Sequence, residues 1–213
     1  MARRPISQIR GRNKFRRRPG NREPRSITLI VCEGESEQAY FDAIRLQLKL
    51  LTTEVVIPRD QGGLAPISVV EYAEDRAKER GGYDHIFCVF DRDQHESFNR
   101  ARAKVRSLAT RSRNPLAISE VPSVPCFEVW VLLHFEQTDA PFVACQNAIH
   151  RVQTHLPGYQ KADPETVKQL LPQLEYAMTN AHWLSSRTGI ADENPSTAVH
   201  RVIAHLRAIS AQA

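Results

Sequence analysis

The feature that most constrains the fold is residues 26–37, where an apolar run stops abruptly at a glutamate. Residues 27–32 are nearly all apolar or β-branched, the pattern of a strand that is buried on both faces of a sheet. Gly34 permits a sharp turn after this strand, and Ser36 is suited to cap a helix with apolar residues at helical spacing. We therefore expect a central strand whose carboxyl end carries Glu33.

Residues 85–93 repeat this design, with an apolar run that is followed directly by Asp91-Arg92-Asp93. Around these two strands the chain alternates between strand and helix patterns. Helices are predicted at 36–51, 66–80 and 97–110, and shorter strands at 53–57 and 116–118. This alternation is typical of an α/β fold with a mainly parallel sheet of about four strands, flanked by helices.

The pattern changes after the last of these strands. Pro122 and Pro125 predict a loop, and residues 126–135 predict a strongly apolar helix. Further helices are predicted at 141–155, 164–171, 172–184 and 196–209. We therefore divide the chain into a basic, disordered tail (1–25), an α/β core (26–135) and a helical C-terminal part that packs on the core (136–213).

The positive charge of the chain is concentrated in its tail. The formal net charge is +5, but residues 1–25 hold ten Lys or Arg and one acid, whereas the remainder holds 19 basic and 23 acidic residues. A basic arm on a mildly acidic body favours nucleic acid as a partner, with Arg16, Arg17 and Arg18 as candidate contacts. A disordered arm that only aids solubility explains the same composition.

The cysteines and the hydropathy pattern indicate a cellular compartment. Cys32, Cys88, Cys126 and Cys145 are widely spaced and form no C-x-x-C pair, so we interpret them as buried thiols rather than zinc ligands or a disulfide framework. No apolar run approaches the length of a membrane span, and the basic N-terminus lacks the apolar segment of a signal peptide. We expect a cytoplasmic protein with no membrane partner.

Two buried strands that each end in acid predict a single acidic site, because sites in open parallel sheets lie outside the carboxyl ends of the strands. The candidate catalytic and metal-binding residues are Glu33, Glu37, Asp91 and Asp93. Carboxylate oxygens are the ligands that Mg²⁺ or Mn²⁺ prefers, and such ions can activate water and neutralise phosphate charge. Each acid also has a structural explanation, as a residue of a turn or of the first turn of a helix.

These motifs resemble known families. Glu33-Gly34 after one strand and Asp91-x-Asp93 after another resemble the two halves of the Toprim signature of topoisomerases, primases and overcoming-lysogenization-defect nucleases. More narrowly, four blocks in order resemble the RloB-like family, Toprim-type proteins associated with restriction and abortive phage resistance. The blocks are Cys32-Glu-Gly-Glu, Val89-Phe-Asp-Arg-Asp, Pro125-Cys-Phe-Glu-Val-Trp and Asn194-Pro-Ser-Thr-Ala-Val-His200.

The resemblance implies a Toprim-like core and a Mg-dependent nuclease that cleaves DNA or RNA in prokaryotic phage defence, often with an ATPase partner of the ABC or AAA type. It implies that Glu33 is a metal ligand or general base and that Asp91 and Asp93 bind metal. Glu37 matches the additional acid of the nuclease version of the signature, and Glu128 is a candidate further metal ligand.

Three other positions have two explanations each. Glu128 is also an ordinary acid for the first turn of a helix. His200 is a candidate phosphate contact, although an amphipathic helix explains its block nearly as well, and Arg92 is either a phosphate contact or part of a solvated turn. His134, in an apolar helix, is expected to be a packing histidine.

Two further functions compete with the nuclease. One is a catalytically silent nucleic-acid-binding or adaptor subunit of a defence complex. The other is a haloacid-dehalogenase-like phosphatase, whose nucleophile also lies in a D-x-D motif. That family normally has Thr or Val two residues after the second Asp, where this chain has His95, and it leaves Glu33-Gly34 unexplained. Either DNA or RNA is the expected substrate, and the chain is a candidate for assembly into a homo-oligomer.

Overall fold

The computed structural model describes residues 26–58, 65–93, 95–188 and 193–212. These residues form a five-stranded sheet in the order β2-β1-β3-β4-β5. The strands are β1 (Thr28–Cys32), β2 (Thr53–Val56), β3 (His85–Asp91), β4 (Ile118–Val124) and β5 (Ser196–Thr197). The first four strands are parallel and β5 is antiparallel to β4. The predicted α/β class, with a mainly parallel sheet, is therefore confirmed.

Helices flank the sheet and form the C-terminal part, as predicted. They are α1 (Glu35–Gln47), α2 (Pro66–Arg80), α3 (Phe98–Thr110), α4 (Glu128–Leu132), α5 (Cys145–His155), α6 (Pro164–Leu170), α7 (Leu174–Thr188) and α8 (Val199–Ala211). The predicted tail contacts Arg16, Arg17 and Arg18 lie outside the described residues.

The sequence-based boundaries were wrong around β4 and β5. Strand β4 continues through Pro122, which was predicted to lie in a loop. Because β5 pairs only with Ser123 and Val124, most of β4 is an edge strand, where a sheet tolerates proline. Residues 196–197 were predicted to begin a helix, but they form β5, and the Ser123 and Thr197 hydroxyls hydrogen-bond at 3.0 Å.

Helix α4 is shorter than the predicted helix at 126–135. The backbone N–H groups of Val129 and Trp130 donate to carbonyls three residues earlier, and those of His134 and Phe135 do the same at the other end. Tight turns of this kind are common at helix ends. The apolar segment therefore has one α-helical turn between two tighter ones, which places Glu128 at the start of α4.

Alternate strand residues divide the core into two halves, as the pleat of a sheet requires. Leu29, Val31, Ile86 and Phe90 pack against apolar residues of α2 and α3 on one face. Ile30, Cys32, Phe87 and Val89 pack on the other face, in a core shared with α1 and the C-terminal helices. Residues from the C-terminal side, such as Glu128 and Lys161, also lie beside Glu33 and Asp91 at the carboxyl ends of β1 and β3.

The four cysteines divide into two pairs. Cys32 and Cys88 are buried free thiols, as predicted. Cys126 and Cys145 are joined in a disulfide, so the prediction of free thiols was wrong for this pair. Although the two cysteines are 19 positions apart in sequence, α4 and α5 pack together and bring the segment before α4 against the first residue of α5.

Over the described ranges, none of the helices combines the length and the apolar character that crossing a membrane requires.

Candidate functional site

A cleft of about 440 Å³ opens at the carboxyl ends of β1 and β3. It is lined by the five predicted acids Glu33, Glu37, Asp91, Asp93 and Glu128, and also by Glu35. The acids come from the ends of two strands, the loop after β3 and the first turns of two helices. All five acids that were predicted from the sequence as site residues therefore line the same cleft.

Glu33 and Asp91 are joined across the two central strands. The Glu33 N–H donates to the Val89 carbonyl at 3.0 Å, and the Asp91 N–H donates to Glu33 Oε2 at 2.8 Å. His95 Nε2 lies 3.2 Å from Glu33 Oε1. Burial raises the pKa of Glu33 to about 8 and the charges of Glu37 and Asp93 add to the shift, although the hydrogen bond from Asp91 opposes it.

Asp91 carries an unsatisfied oxygen in the middle of the acids. Burial raises the pKa of Asp91 well above its usual value, and the carboxylates of Glu37, Glu128 and Glu33 raise it further. Its Oδ1 is shielded from solvent and has no hydrogen-bond partner among the described residues. A shielded carboxylate oxygen that is surrounded by like charge is the kind of atom that a bound cation satisfies.

Glu37 is placed by the turn that Gly34 makes at the start of α1. Gly34, not Ser36, is the N-cap of α1, and Glu37 is buried in the first turn. Burial raises the pKa of Glu37 to about 7, and the nearby Glu128 charge raises it further while Lys161 lowers it. A Cβ atom on residue 34 would lie 2.6 Å from Glu37 Oε2, so the absence of a side chain there leaves room for this carboxylate.

We expect Gly34→Ala to displace the Glu37 carboxylate while the fold survives. The φ of −129° suits any residue, so the only conflict is between the new methyl group and Glu37. A substitution that disturbs the positioning of a metal ligand typically costs about 10–100-fold in metal affinity. Calorimetric titration of the metal-free protein with Mn²⁺ measures this change.

Gly158→Ala is the matched control for that variant, since a Cβ at residue 158 meets nothing within 4 Å. The control should bind Mn²⁺ as the wild type does. Unchanged Mn²⁺ affinity in Gly34→Ala would show that Glu37 takes no part in the site.

Glu128 is fully buried and is held by residues of the C-terminal part. Tyr159 Oη donates to Glu128 Oε1 at 3.1 Å, and Lys161 Nζ lies 2.9 Å from the same oxygen. Cys145 Sγ lies 3.2 Å from Glu128 Oε2. Oε1 therefore has two polar partners, whereas Oε2 faces a disulfide sulfur, which carries no hydrogen to donate.

The segment that carries Lys161 is fastened to the rim of the cleft. The Ala162 N–H donates to Ser36 Oγ at 3.1 Å, so Ser36 ties this segment to α1 and does not cap the helix. Burial lowers the pKa of Lys161, but the Glu128 carboxylate outweighs this effect and the net shift is upward. Among the described residues, Lys161 is the one lysine or arginine that lines the cleft.

Asp93 lies at the exposed rim of the cleft, in a turn after β3. Its N–H donates to the Pro125 carbonyl at 2.9 Å, and its φ of +27° is in the left-handed region. Asp and Asn tolerate this region better than most residues because of their short polar side chains. Arg92, beside it, is exposed and does not line the cleft.

The two histidines that the sequence singled out lie elsewhere. His200 is buried near the start of α8 and does not line the cleft. Its pKa is lowered to about 4, by burial first and then by His182 and Arg201, so its ring is neutral and offers phosphate no charge. His134 is buried and bonds the Trp130 carbonyl and Tyr40 Oη, each at 3.0 Å, which confirms its packing role.

The acids of the cleft offer the donor atoms that a hard divalent ion prefers, although within the described ranges no three carboxylates have ligand oxygens within 4.8 Å of one another. The residues that could hold it are Glu33, Glu37, Asp91, Asp93 and Glu128, which offer only oxygen, the donor that Mg²⁺ and Mn²⁺ prefer. Asp91 Oδ1, buried and without a hydrogen-bond partner among the described residues, is an acceptor that such an ion would satisfy. The sulfurs of Cys126 and Cys145 also lie close to Glu128, but they are bonded to each other and are not thiolate ligands in this state.

The fold and the cleft define an α/β protein with an acidic site at the carboxyl ends of its central parallel strands. A family model described as RloB-like protein matches residues 28–206, which is most of the chain. The chain therefore belongs to the RloB-like family. No curated protein and no solved structure matches it significantly.

Proposed function

We propose that this protein is a Toprim-type nuclease of prokaryotic phage defence, which hydrolyses DNA or RNA phosphodiesters with Mg²⁺ or Mn²⁺. The observation that carries the proposal is the convergence of five acids in one cleft around Asp91, whose Oδ1 has no hydrogen-bond partner among the described residues. Such a cluster is unfavourable without a cation, because burial and mutual repulsion penalise every charged carboxylate.

A divalent ion bound in this cleft would activate water, neutralise phosphate charge and stabilise the leaving oxygen. Glu33, Glu37, Asp91 and Asp93 would hold it, with Glu128 as a further ligand. Glu33 would act either as a ligand of this ion or as the general base that takes a proton from water. One of its oxygens accepts the Asp91 N–H, and the other lies 3.2 Å from His95 Nε2.

The charge distribution supports a polyanionic substrate. The acidic cleft would repel phosphate without a bound ion, and the ten Lys or Arg of residues 1–25 would supply attraction from outside it. Helix α3 adds less to this attraction, because three of its basic side chains are paired with acids. Arg102 and Arg106 pair with Glu120, and Lys104 pairs with Glu71 and Glu74. A cytoplasmic location, an ATPase partner of the ABC or AAA type and assembly into a homo-oligomer belong to the same proposal.

The test is a cleavage assay with the purified full chain. Labelled single- and double-stranded DNA, single-stranded RNA and tRNA are incubated with Mg²⁺, with Mn²⁺ or with a chelator. We expect metal-dependent cleavage of at least one substrate and none with the chelator. Binding that needs no metal, without cleavage, would favour the adaptor function, and hydrolysis of a chromogenic phosphate monoester alone would favour the phosphatase.

A further inference from the structure

The disulfide between Cys126 and Cys145 lies against an acid of the cleft. Cys126 is buried two residues before Glu128, and Cys145 is partly exposed at the first residue of α5. Cys145 Sγ lies 3.2 Å from Glu128 Oε2, and Lys161 Nζ lies 3.9 Å from the same sulfur. One sulfur therefore touches both the carboxylate and the ammonium group on this side of the cleft.

The hydrogen on Cys145 depends on its oxidation state. As a thiol, Cys145 can donate to Glu128 Oε2, whereas a disulfide sulfur has no hydrogen to donate. Glu128 Oε1 is already engaged by Tyr159 and Lys161. In the oxidised protein, which is the state of the structure, Oε2 lies 3.2 Å from a sulfur that cannot donate, so its lone pairs are left for a cation. In the reduced protein a Cys145 thiol would donate to this oxygen and compete with the cation.

We infer that Cys126 and Cys145 are a reversible redox modification site that controls how tightly the acidic cleft binds a divalent ion. The inference rests on the proposed function in one respect, since it takes Glu128 as a ligand of that ion. Oxidation releases Glu128 Oε2 and strengthens ion binding, and reduction restores the thiol donor and weakens it.

The chemistry balances with a peroxide as the oxidant. Cys145 Sγ, the more accessible sulfur, attacks a peroxide oxygen and the O–O bond breaks, which gives a sulfenic acid and one water. Cys126 Sγ then attacks the sulfenic sulfur, so that the S–S bond forms and a second water leaves. Two thiols have lost two protons and two electrons to the peroxide, and a dithiol reductant reverses the change by thiol–disulfide exchange.

The test begins with the covalent state of the full chain. Intact mass should show the loss of two hydrogens after treatment with hydrogen peroxide, and their return after a dithiol. Cys88→Ala removes a buried free thiol and should leave this response unchanged. A mass that does not change, or an oxidised product with oxygen added and no disulfide, overturns the inference.

Calorimetric titration of the metal-free protein with Mn²⁺ then measures the link to the cleft. We expect the oxidised form to bind about two- to tenfold more tightly than the reduced form, the effect of one weak hydrogen bond. Cys145→Ser keeps a donor but cannot form the disulfide, so it should bind as the reduced wild type does under all conditions. Cys145→Ala lacks the donor and should bind like the oxidised form.

The outcomes separate this inference from the function on which it rests. Equal Mn²⁺ affinity in the reduced and oxidised forms, or equal affinity in Cys145→Ser and Cys145→Ala, overturns the redox link and leaves the metal site standing. If neither form binds Mn²⁺, the metal-dependent function fails together with the link.

Discussion

Replacing Asp91 by asparagine is expected to abolish metal-dependent cleavage of nucleic acid. Asp91 lies among three other carboxylates, and its Oδ1 has no hydrogen-bond partner among the described residues, so this oxygen is left to bind a cation. Asparagine has nearly the same shape but no negative charge. The rate should fall by at least roughly 10²–10³-fold, the loss seen when one group that stabilises transition-state charge is removed.

The Asp91→Asn protein should remain folded, and the metal-free variant should be at least as stable as the wild type. The backbone N–H that donates to Glu33 Oε2 is unchanged, and one member of a repelling cluster is removed. Glu96→Gln is the matched control, because Glu96 is an exposed acid outside the cleft lining. Full cleavage by Asp91→Asn would refute the assigned chemistry, whatever the substrate.

The second large expected effect is a rise in melting temperature when Mg²⁺ or Mn²⁺ is added. A ligand that binds only the folded state stabilises it by about 2.7 kcal/mol at a hundred times its dissociation constant. For a chain of this size that corresponds to about 5–10 °C. Differential scanning fluorimetry of the metal-free protein, with and without millimolar metal, measures the shift.

The same shift should grow with pH. The raised pKa values of Glu33 (about 8) and Glu37 (about 7) mean that the folded state holds more protons than the unfolded state above the usual value of 4.5. The metal-free protein is therefore stabilised at low pH, and it loses stability as the pH rises from about 4.5 to about 8. Because protons and metal compete for the same carboxylates, the gain from metal should be larger near pH 8 than near pH 6.

Two substitutions of Asp93 distinguish a metal ligand from a turn residue. Asn tolerates the left-handed conformation at this position, so Asp93→Asn should keep its stability and lose part of the gain from metal. Asp93→Ala should lose that gain and also about 1–2 kcal/mol of stability, because alanine is strained there. A wild type that does not respond to metal, together with a destabilised Asp93→Ala, would favour the adaptor function.

The part of the site that the sequence could predict is the part encoded locally. An apolar run that ends in Glu33, and another that ends in Asp91, specify both the strand and the position of its acid at one edge of the sheet. Periodicity and the order of elements were enough to specify the parallel sheet. The bounds of β4 were predicted wrongly at Pro122. A proline can continue a strand where that strand has no second neighbour, and β5 pairs with only two residues of β4. The local sequence does not show where such a neighbour ends.

The residues that hold Glu128 in the cleft could not be predicted from the sequence, because they reach it only through tertiary contacts. Tyr159 and Lys161 lie in an irregular segment between α5 and α6 that carries no motif, and they reach Glu128 only through the packing of the C-terminal helices. The pairing of Cys126 with Cys145 has the same origin. Spacing along the chain contains no information about which distant loop is brought against an acid.

The hydrogen bond from the Ala162 N–H to Ser36 Oγ limits how this chain could be recombined in evolution or engineering. It joins the first helix after β1 to a segment more than a hundred residues later, at the rim of the cleft. A fragment that stops at residue 135 would keep all five acids but would leave Glu128 without Tyr159 and Lys161. The α/β core is therefore not an interchangeable module, and grafting it onto another C-terminal part would transfer the acids without the groups that position one of them.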